Sequence, residues 1–213
     1  MATASLTKLT VPLASDQSNP TQGLLMPKLQ YRFRVTFLNL GVSTPTTELT
    51  KQVMEFARPN VTFENIDLPI YNSTIRLAGK HVWQDITCKV RDDAGGNVSR
   101  LVGEQLQKQL DFMEQSSAAS GIDYKFTTQF EVLDGGNGAN APVALETWYI
   151  YGCYLQGVNY DAANYGSNEV MTITMTIRYD NAEQVLSNGL GVGTTSTASV
   201  PGQGQQGQPV STG

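Results

Sequence analysis

One stretch near the end of the chain decides the fold class: Val170-Met171-Thr172-Ile173-Thr174-Met175-Thr176-Ile177-Arg178-Tyr179. Its apolar and polar side chains alternate with a period of two. This period is typical of a β-strand that buries one face and exposes the other. Threonines fill most of the second face, and threonine is favourable on a pleated surface that meets water. The stretch therefore predicts a half-buried strand.

The same period recurs earlier in the chain. Residues 29–37 alternate in this way and are rich in aromatic and β-branched side chains. Residues 83–91, 125–133 and 143–151 are also predicted to be strands. Gly135-Gly136-Asn137-Gly138 lies between the last two, and such a run favours a turn. We therefore expect these two strands to form a hairpin with a loose loop.

One segment, residues 98–115, has the period of a helix instead, with Asn97 or Ser99 as its cap. Its opposite face is charged, so we expect the apolar face to pack on the sheet. The residues predicted for that core face are Leu101, Val102, Leu106, Leu110 and Met113. The predicted fold class is thus α+β and β-dominated, an antiparallel β-sandwich or barrel with one packed amphipathic helix.

Charge divides the chain into three parts. Residues 1–27 carry only Lys8 and Asp16, and residues 184–213 carry no charged side chain. The C-terminal part is a low-complexity segment that cannot bury enough apolar surface to fold alone. We predict an N-terminal arm at 1–27, a folded core at 28–183 and a C-terminal arm at 184–213. Both arms are expected to contact neighbouring subunits.

The composition argues against an enzyme, a metal protein and a nucleic-acid clamp. The net charge of -5 gives no broad attraction for phosphates. His81 is the only histidine, which removes most acid–base and metal sites, and we interpret it as a loop residue. We predict that Cys88 and Cys153 are plain buried thiols. No catalytic, cofactor-binding or metal-binding residue is predicted.

Other candidate sites have simpler interpretations. Asp92-Asp93 lacks the spaced ligands of a calcium loop and is expected to precede the helix, whose dipole favours acidic residues. The run Gly135-Gly136-Asn137-Gly138 and the later run Gly189-Leu190-Gly191-Val192-Gly193 lack the context of a phosphate loop. No apolar run is long enough to cross a membrane, and no signal peptide is expected.

Several motifs follow one another through the predicted core. Phe56-Ala57-Arg58-Pro59-Asn60 leads through Leu68-Pro69 to residues 75–80, which end in Ala-Gly-Lys. Residues 83–93, with a tryptophan at the start and two acids at the end, precede the helix. Residues 151–158, a glycine-plus-aromatic strand, precede the alternating strand of residues 168–180. This ordered set, over roughly residues 28–183, resembles the tail tube proteins of contractile-tailed bacteriophages, a family related to the inner-tube proteins of contractile injection systems. The long arms and residues 116–121 depart from the compact family pattern.

The resemblance implies a structural virion protein and no enzyme. Members of the family self-assemble into stacked hexameric rings, which form a hollow inner tail tube inside a contractile sheath. The expected partners are other copies of the chain, the tail sheath protein, and baseplate and tail-terminator proteins. Viral DNA would pass through the lumen of the shared β-barrel without specific binding, and no membrane is involved. The expected location is the virion tail, after assembly in the host cytoplasm.

The resemblance also implies a location for the threonine side chains of the strand at residues 168–180. We predict that Thr172, Thr174 and Thr176 face the lumen, because a neutral or acidic wall leaves DNA hydrated and mobile. Arginines on other polar strand faces are expected to pair with carboxylates or to face the subunit interface: Arg32, Arg34 and Arg178. In the alternative, the threonines pack inside the subunit and the opposite face, Met171, Ile173 and Met175, meets a partner.

Two other functions remain open at this point. The chain is also compatible with a baseplate protein, a tube initiator or the inner tube of a contractile injection system. A different class is a carbohydrate-binding β-sandwich, in which Trp83, Trp148 and tyrosines would stack on sugars.

Overall fold

The computed structural model describes residues 5–12, 21–25, 27–42, 47–117, 124–135, 141–186 and 191–192. The elements are β1 (Ser5–Pro12), β2 (Thr21–Leu25), β3 (Phe33–Leu38), α1 (Thr47–Gln52), β4 (Val53–Phe56), β5 (Val61–Ile70), β6 (Ser73–Trp83), β7 (Ile86–Arg91), α2 (Asn97–Gln109), β8 (Leu110–Asp111), β9 (Ser116–Ser117), β10 (Phe126–Leu133), β11 (Ala144–Tyr160), β12 (Thr172–Arg178) and β13 (Asn181–Leu186).

Seven strands form the main sheet, in the order β3-β10-β11-β12-β7-β4, with β13 also paired to β11. All of these pairs are antiparallel. The predicted hairpin of residues 125–133 and 143–151 is confirmed as β10–β11, whereas residues 136–140 of its loop lie outside the described residues. The β-dominated α+β class is therefore confirmed.

The long strand β11 divides the sheet into two halves. Its first half pairs with β10 and β13, and its second half pairs with β12. Gly152, near the point where the partners change, has φ +67, and a Cβ there would clash with the Asp180 carboxylate. Phe56 of β4 stacks on Phe130 of β10, with ring centroids 5.3 Å apart. One end of the sheet, β4, thus packs against β10, the strand next to the other end, as in a sandwich.

The core follows the period of two that the sequence predicts. Ile173, Met175 and Ile177 of β12 are buried. They pair across to Val90, Cys88 and Ile86 of β7, which are buried as well. Because the Ile173 and Met175 face is in the core, the alternative in which this face meets a partner is wrong.

Helix α2 covers one side of this core. Val98, Leu101 and Val102 are fully buried, and Leu106 is partly buried. The side-chain oxygen of Gln105, also fully buried, accepts the Gly41 N–H at 3.1 Å, and its nitrogen donates to the Tyr124 carbonyl at 2.6 Å. The helix is therefore anchored by both apolar packing and a satisfied buried amide.

The helix ends at Gln109, earlier than the predicted 115. The Gln109 side chain accepts the Leu155 N–H at 2.9 Å and donates to the Leu155 carbonyl at 2.8 Å. Leu110 already has the extended backbone of β8 and lies outside the helix. Met113 lies in the turn that follows and is 92% exposed, so its assignment to the core face is wrong.

Other predicted boundaries also shift. The single strand expected at 83–91 is divided at residues 84–85 into β6 and β7, and the strand expected at 143–151 continues to Tyr160. The short helix α1 was not predicted. Strand β13 continues to Leu186, past the expected end of the core at 183, and the N-terminal arm contains the pair β1–β2. The remaining residues of both arms, apart from 27 and 191–192, lie outside the described part of the chain.

Candidate assembly surfaces

Strands β5 and β6 form a long hairpin, which pairs with no other strand among the described residues. Nearly every side chain from Thr62 to Ala78 is exposed. The register pairs Val61 with Trp83 at the root and Ile70 with Ser73 at the tip, with an irregularity near Gly79. A Cβ on Gly79 would lie 2.9 Å from the Glu64 carbonyl oxygen, so this close approach of the two strands favours glycine.

The outer part of the hairpin has one apolar face. Residues directly opposite in an antiparallel pair lie on the same face, and positions two apart share it. Ile66 is opposite Leu77, and Leu68 is opposite Ile75. These four side chains and Ile70 are 45–50% exposed. We name this set, Ile66, Leu68, Ile70, Ile75 and Leu77, the hairpin apolar face.

The other face of the hairpin is polar. Asp67 lies opposite Arg76, and their side chains form an ion pair at 3.6 Å. Both partners are largely exposed, so this pair adds little stability. The hairpin is therefore amphipathic, and the described residues of this chain leave its apolar side in water.

Aromatic contacts fix the root of the hairpin to the core. The Trp83 ring lies 5.7 Å from that of Tyr179, and His81 meets Trp83 edge-on at 6.2 Å. Burial raises the pKa of Tyr179 to about 12. His81 lies within β6 and is exposed, so it belongs to the hairpin rather than to a loop.

The sequence held a signal for this hairpin that our prediction did not use. Apolar residues alternate from Ile66 to Ile70 and again from Ile75 to Leu77, and Tyr71-Asn72 lies between the two runs. We interpreted parts of these runs only as motifs. Tyr71 has φ +45, a conformation that a tyrosine rarely adopts. A tyrosine at this position therefore does not predict the turn.

A second surface lies where the two ends of the sheet meet. A cleft of about 810 Å³ opens between β3 and β4, the edge strands of the sheet. Phe33, Phe56 and Phe130 line its base and Met54 its rim. Four basic residues and one acidic residue also line it: Lys28, Arg32, Arg58, Arg91 and Glu55. We name this the edge cleft.

A buried carboxylate lies beside the edge cleft. Glu146 is 3% exposed and accepts hydrogen bonds from Lys28, from Trp148 Nε1 at 2.6 Å and from Gln184 Nε2 at 2.8 Å. Burial by itself would raise the pKa of Glu146, but these hydrogen bonds outweigh it and hold the pKa below its usual value. Lys28 begins the core and Gln184 lies in β13, so Glu146 joins the two ends of the folded region.

The predicted lumen face is only partly accessible. Thr174 and Thr176 are partly exposed, on the face opposite the buried Ile173 and Met175. Thr172 is 6% exposed and donates to Asp161 Oδ2 at 2.9 Å, so it does not present its side chain to a lumen in this chain. The role of the other two threonines stays a prediction.

Two of the three arginines discussed above pair with carboxylates. Arg34 Nε donates to Glu131 at 2.6 Å, and Arg178 donates to Asp85 at 2.7 Å. Arg32 donates instead to the Asp134 carbonyl oxygen at 2.6 Å.

The alternative functions gain little from the geometry. Trp148 is 8% exposed and lies in the core, so it offers no platform for a sugar.

Cys88 and Cys153 are free and buried, and burial raises the pKa of Cys153 to about 11. Within the described ranges no group of three or more His, Cys, Asp or Glu residues is placed to hold a metal ion. No described helix is long and apolar enough to cross a membrane.

Comparison with known proteins places the fold. No family model and no curated protein sequence matches the chain. Among solved structures, the tube-terminating cap of the anti-feeding prophage matches with a TM-score of 0.57 at 15% identity, over 82% of this chain and 100% of that chain. A chain of the sheath–tube complex of an extracellular contractile injection system, PVC, matches with a TM-score of 0.53 at 13% identity, over 75% and 92%. A chain of the anti-feeding prophage baseplate matches with a TM-score of 0.51 at 15% identity, over 75% and 96%. Together with the sheet and hairpin described above, these matches show that the chain has a tail-tube-like fold.

Proposed function

We propose that this chain is a structural subunit of the inner tube of a contractile tail, and that copies of it assemble into stacked six-membered rings. The hairpin apolar face is the observation that carries the proposal. A soluble chain rarely leaves a contiguous apolar face of this kind in water unless another surface covers it. Self-assembly supplies that surface in every subunit.

The energy of covering the hairpin apolar face is sufficient to matter. Full burial of a large aliphatic side chain contributes about 1.5–3 kcal/mol. The five residues of the face are already about half buried, so covering the remainder would contribute roughly 1 kcal/mol each, or about 5 kcal/mol per hairpin. One such contact per subunit offsets part of the entropy that association costs.

The wider assembly follows from the same proposal. The tail sheath protein would surround the tube, and baseplate and terminator proteins would bind its two ends. Viral DNA would pass through the lumen without specific binding, past Thr174 and Thr176. The machine would be assembled in the host cytoplasm and would act as part of the virion tail. The net charge of -5 supports passage of DNA, because an acidic subunit does not retain phosphates.

Electron microscopy of the purified chain tests the proposal. The wild-type chain is expected to form six-fold rings or tubes. The double variant Leu68→Ser, Ile75→Ser removes two facing residues of the hairpin apolar face and is expected to abolish them. Its melting temperature should stay close to that of the wild type, because neither residue packs in the core.

The matched control changes the other face of the same hairpin. Thr74 lies next to Ile75 in sequence, and the variant Thr74→Ser is expected to leave assembly intact. A wild-type chain that stays monomeric at high concentration, with no rings or tubes, would contradict the proposal.

A second candidate is a position at the end of such a tube. The match to the tube-terminating cap, which spans all of that chain, favours it. A tube subunit and a cap differ in how far assembly continues. Tubes of many lengths from the purified chain alone would support the tube subunit, whereas single rings that never stack would support the cap or another end protein.

A further inference from the structure

The turn between β8 and β9 presents two large apolar side chains between two acids. Phe112 is 57% exposed and Met113 is 92% exposed. Asp111 precedes them and Glu114 follows them. We name these four residues, 111–114, the DFME turn.

The DFME turn is held in shape by its own carboxylate. Asp111 Oδ1 accepts the N–H of Met113 at 2.9 Å and that of Glu114 at 3.4 Å. The hydrogen bond from Met113 is the main reason that the pKa of Asp111 lies below its usual value. A preformed loop of this kind loses little entropy when it docks.

The edge cleft has the complementary chemistry. Its base is aromatic, and basic residues outnumber acidic residues along its walls. Arg32 donates to a neutral carbonyl, and Arg91 has no ion pair among the residues that the structure describes. The edge cleft therefore carries positive charge that the described part of the same chain does not neutralise, in a protein whose net charge is -5.

The two surfaces lie at opposite ends of α2. Arg91, in the wall of the edge cleft, is joined through Asp92-Asp93 to the start of the helix, where Asp93 accepts the Val98 N–H at 2.9 Å. The DFME turn follows the other end, where Lys108 donates to the Asn39 carbonyl beyond the end of β3. A helix of 13 residues spans about 20 Å, so one chain cannot bring its own turn into its own cleft.

We propose that the DFME turn of one copy docks in the edge cleft of the next copy. This inference rests on the proposed self-assembly and names one of its contacts. Phe112 and Met113 would lie against the aromatic base, and Asp111 and Glu114 would face the basic walls. Because the contact joins two different surfaces at opposite ends of the subunit, it leaves a free turn at one end and a free cleft at the other, and assembly continues head to tail.

The hairpin apolar face is a less suitable occupant of the edge cleft. Its polar side pairs an acid with a base, Asp67 with Arg76, and so offers the basic walls no net negative charge. The DFME turn carries two acids and no base.

Cross-linking between variants that each carry one added cysteine tests the contact. Met113→Cys marks the turn, and Met54→Cys marks the rim of the edge cleft, where Met54 is 44% exposed. The native Cys88 and Cys153 are buried and provide an unreactive background. With a short bis-maleimide, neither variant alone should cross-link to itself. The two variants mixed should give dimers, and one chain carrying both changes should give a ladder.

Charge exchange gives an independent measurement. Arg91→Glu and Glu114→Lys should each lower the yield of cross-linked dimer severalfold, and combining Arg91→Glu in the cleft partner with Glu114→Lys in the turn partner should restore much of it. Glu169→Lys, in a different exposed loop, is the matched control and should have no effect.

The outcomes separate this inference from the proposed function. Rings or tubes in the microscope without cross-links between the two variants would overturn the turn-in-cleft contact and leave the tube proposal standing. Cross-linked ladders without any rings or tubes would overturn the tube proposal and leave the turn-in-cleft contact standing. Self-cross-linking of either single variant would also overturn the contact, because it requires a symmetric arrangement.

Discussion

Replacing Glu146 by glutamine should weaken the folded state and change how its stability depends on pH. The substitution keeps the size of the side chain but removes its charge, which Lys28, Trp148 and Gln184 all contact. Hydrogen bonds to a charged group contribute about 1.5–3 kcal/mol, so we expect Glu146→Gln to lower the free energy of unfolding at pH 7 by about this amount.

The pH dependence follows from the direction of the pKa shift. The pKa of Glu146 is lower in the folded chain than in the unfolded chain. Its stabilising contribution is therefore present above the unfolded pKa and is lost as the pH falls through the lower, folded value. The difference between wild type and Glu146→Gln should be full at pH 7 and should shrink below about pH 4.

Urea unfolding followed by tryptophan fluorescence measures both effects, because Trp148 donates directly to Glu146. Glu183→Gln is the matched control, since the Glu183 carboxylate lies on β13 and accepts one long hydrogen bond, 3.4 Å from Tyr151. Measurements belong at concentrations where the chain is monomeric. Equal stabilities of the two variants at pH 7, or a Glu146→Gln difference that does not change with pH, would refute the reasoning.

Three further predictions concern the core, the long strand and the threonine face. Leu101→Ala should lower the free energy of unfolding by about 2–5 kcal/mol, and Leu106→Ala should lower it by less, because only Leu101 is fully buried. Chemical denaturation measures both losses, and equal losses would contradict the packing. Gly152→Ala should cost about 1–2 kcal/mol, because φ +67 is unfavourable for alanine and its Cβ would clash with Asp180; an unchanged melting temperature would contradict this. In assembled tubes, Thr174→Cys should react with a small maleimide and be protected from a bulky one, and labelling by the bulky reagent from outside would contradict a lumen position.

The strand periodicity predicted the sheet well, because the side chains of a half-buried strand alternate between apolar and polar along the sequence. Ile173 and Met175 are buried as their alternation with threonine indicates. The same pattern could not locate Thr172, since a hydrogen bond to Asp161 across a loop, rather than its position on the strand, buries it. Local pattern therefore reported the face of a strand but not the loop that covers it.

The periodicity of the sequence could not predict where helix α2 ends, for a similar reason. Leu110 and Met113 continue the apolar spacing of α2. The helix nevertheless stops at Gln109, whose amide binds the backbone of Leu155, 46 positions further along the chain. Such a contact depends on the tertiary fold and leaves no short-range signal. The hairpin apolar face and the edge cleft likewise require knowledge of which strands remain at an edge.

The pairing of β3 with β10 has a consequence for how the chain folds during synthesis. Phe33 is opposite Val132, so β3 has no partner until about a hundred further residues have been made, which takes roughly 5–20 s at ordinary translation rates. The β5–β6 hairpin joins strands that are close in sequence and can close as soon as it leaves the ribosome. A nascent chain therefore displays an apolar hairpin and an unpaired β3 well before the sheet that fixes them is complete. During this interval the edge of β3 and the hairpin apolar face are both open to premature contacts with other chains.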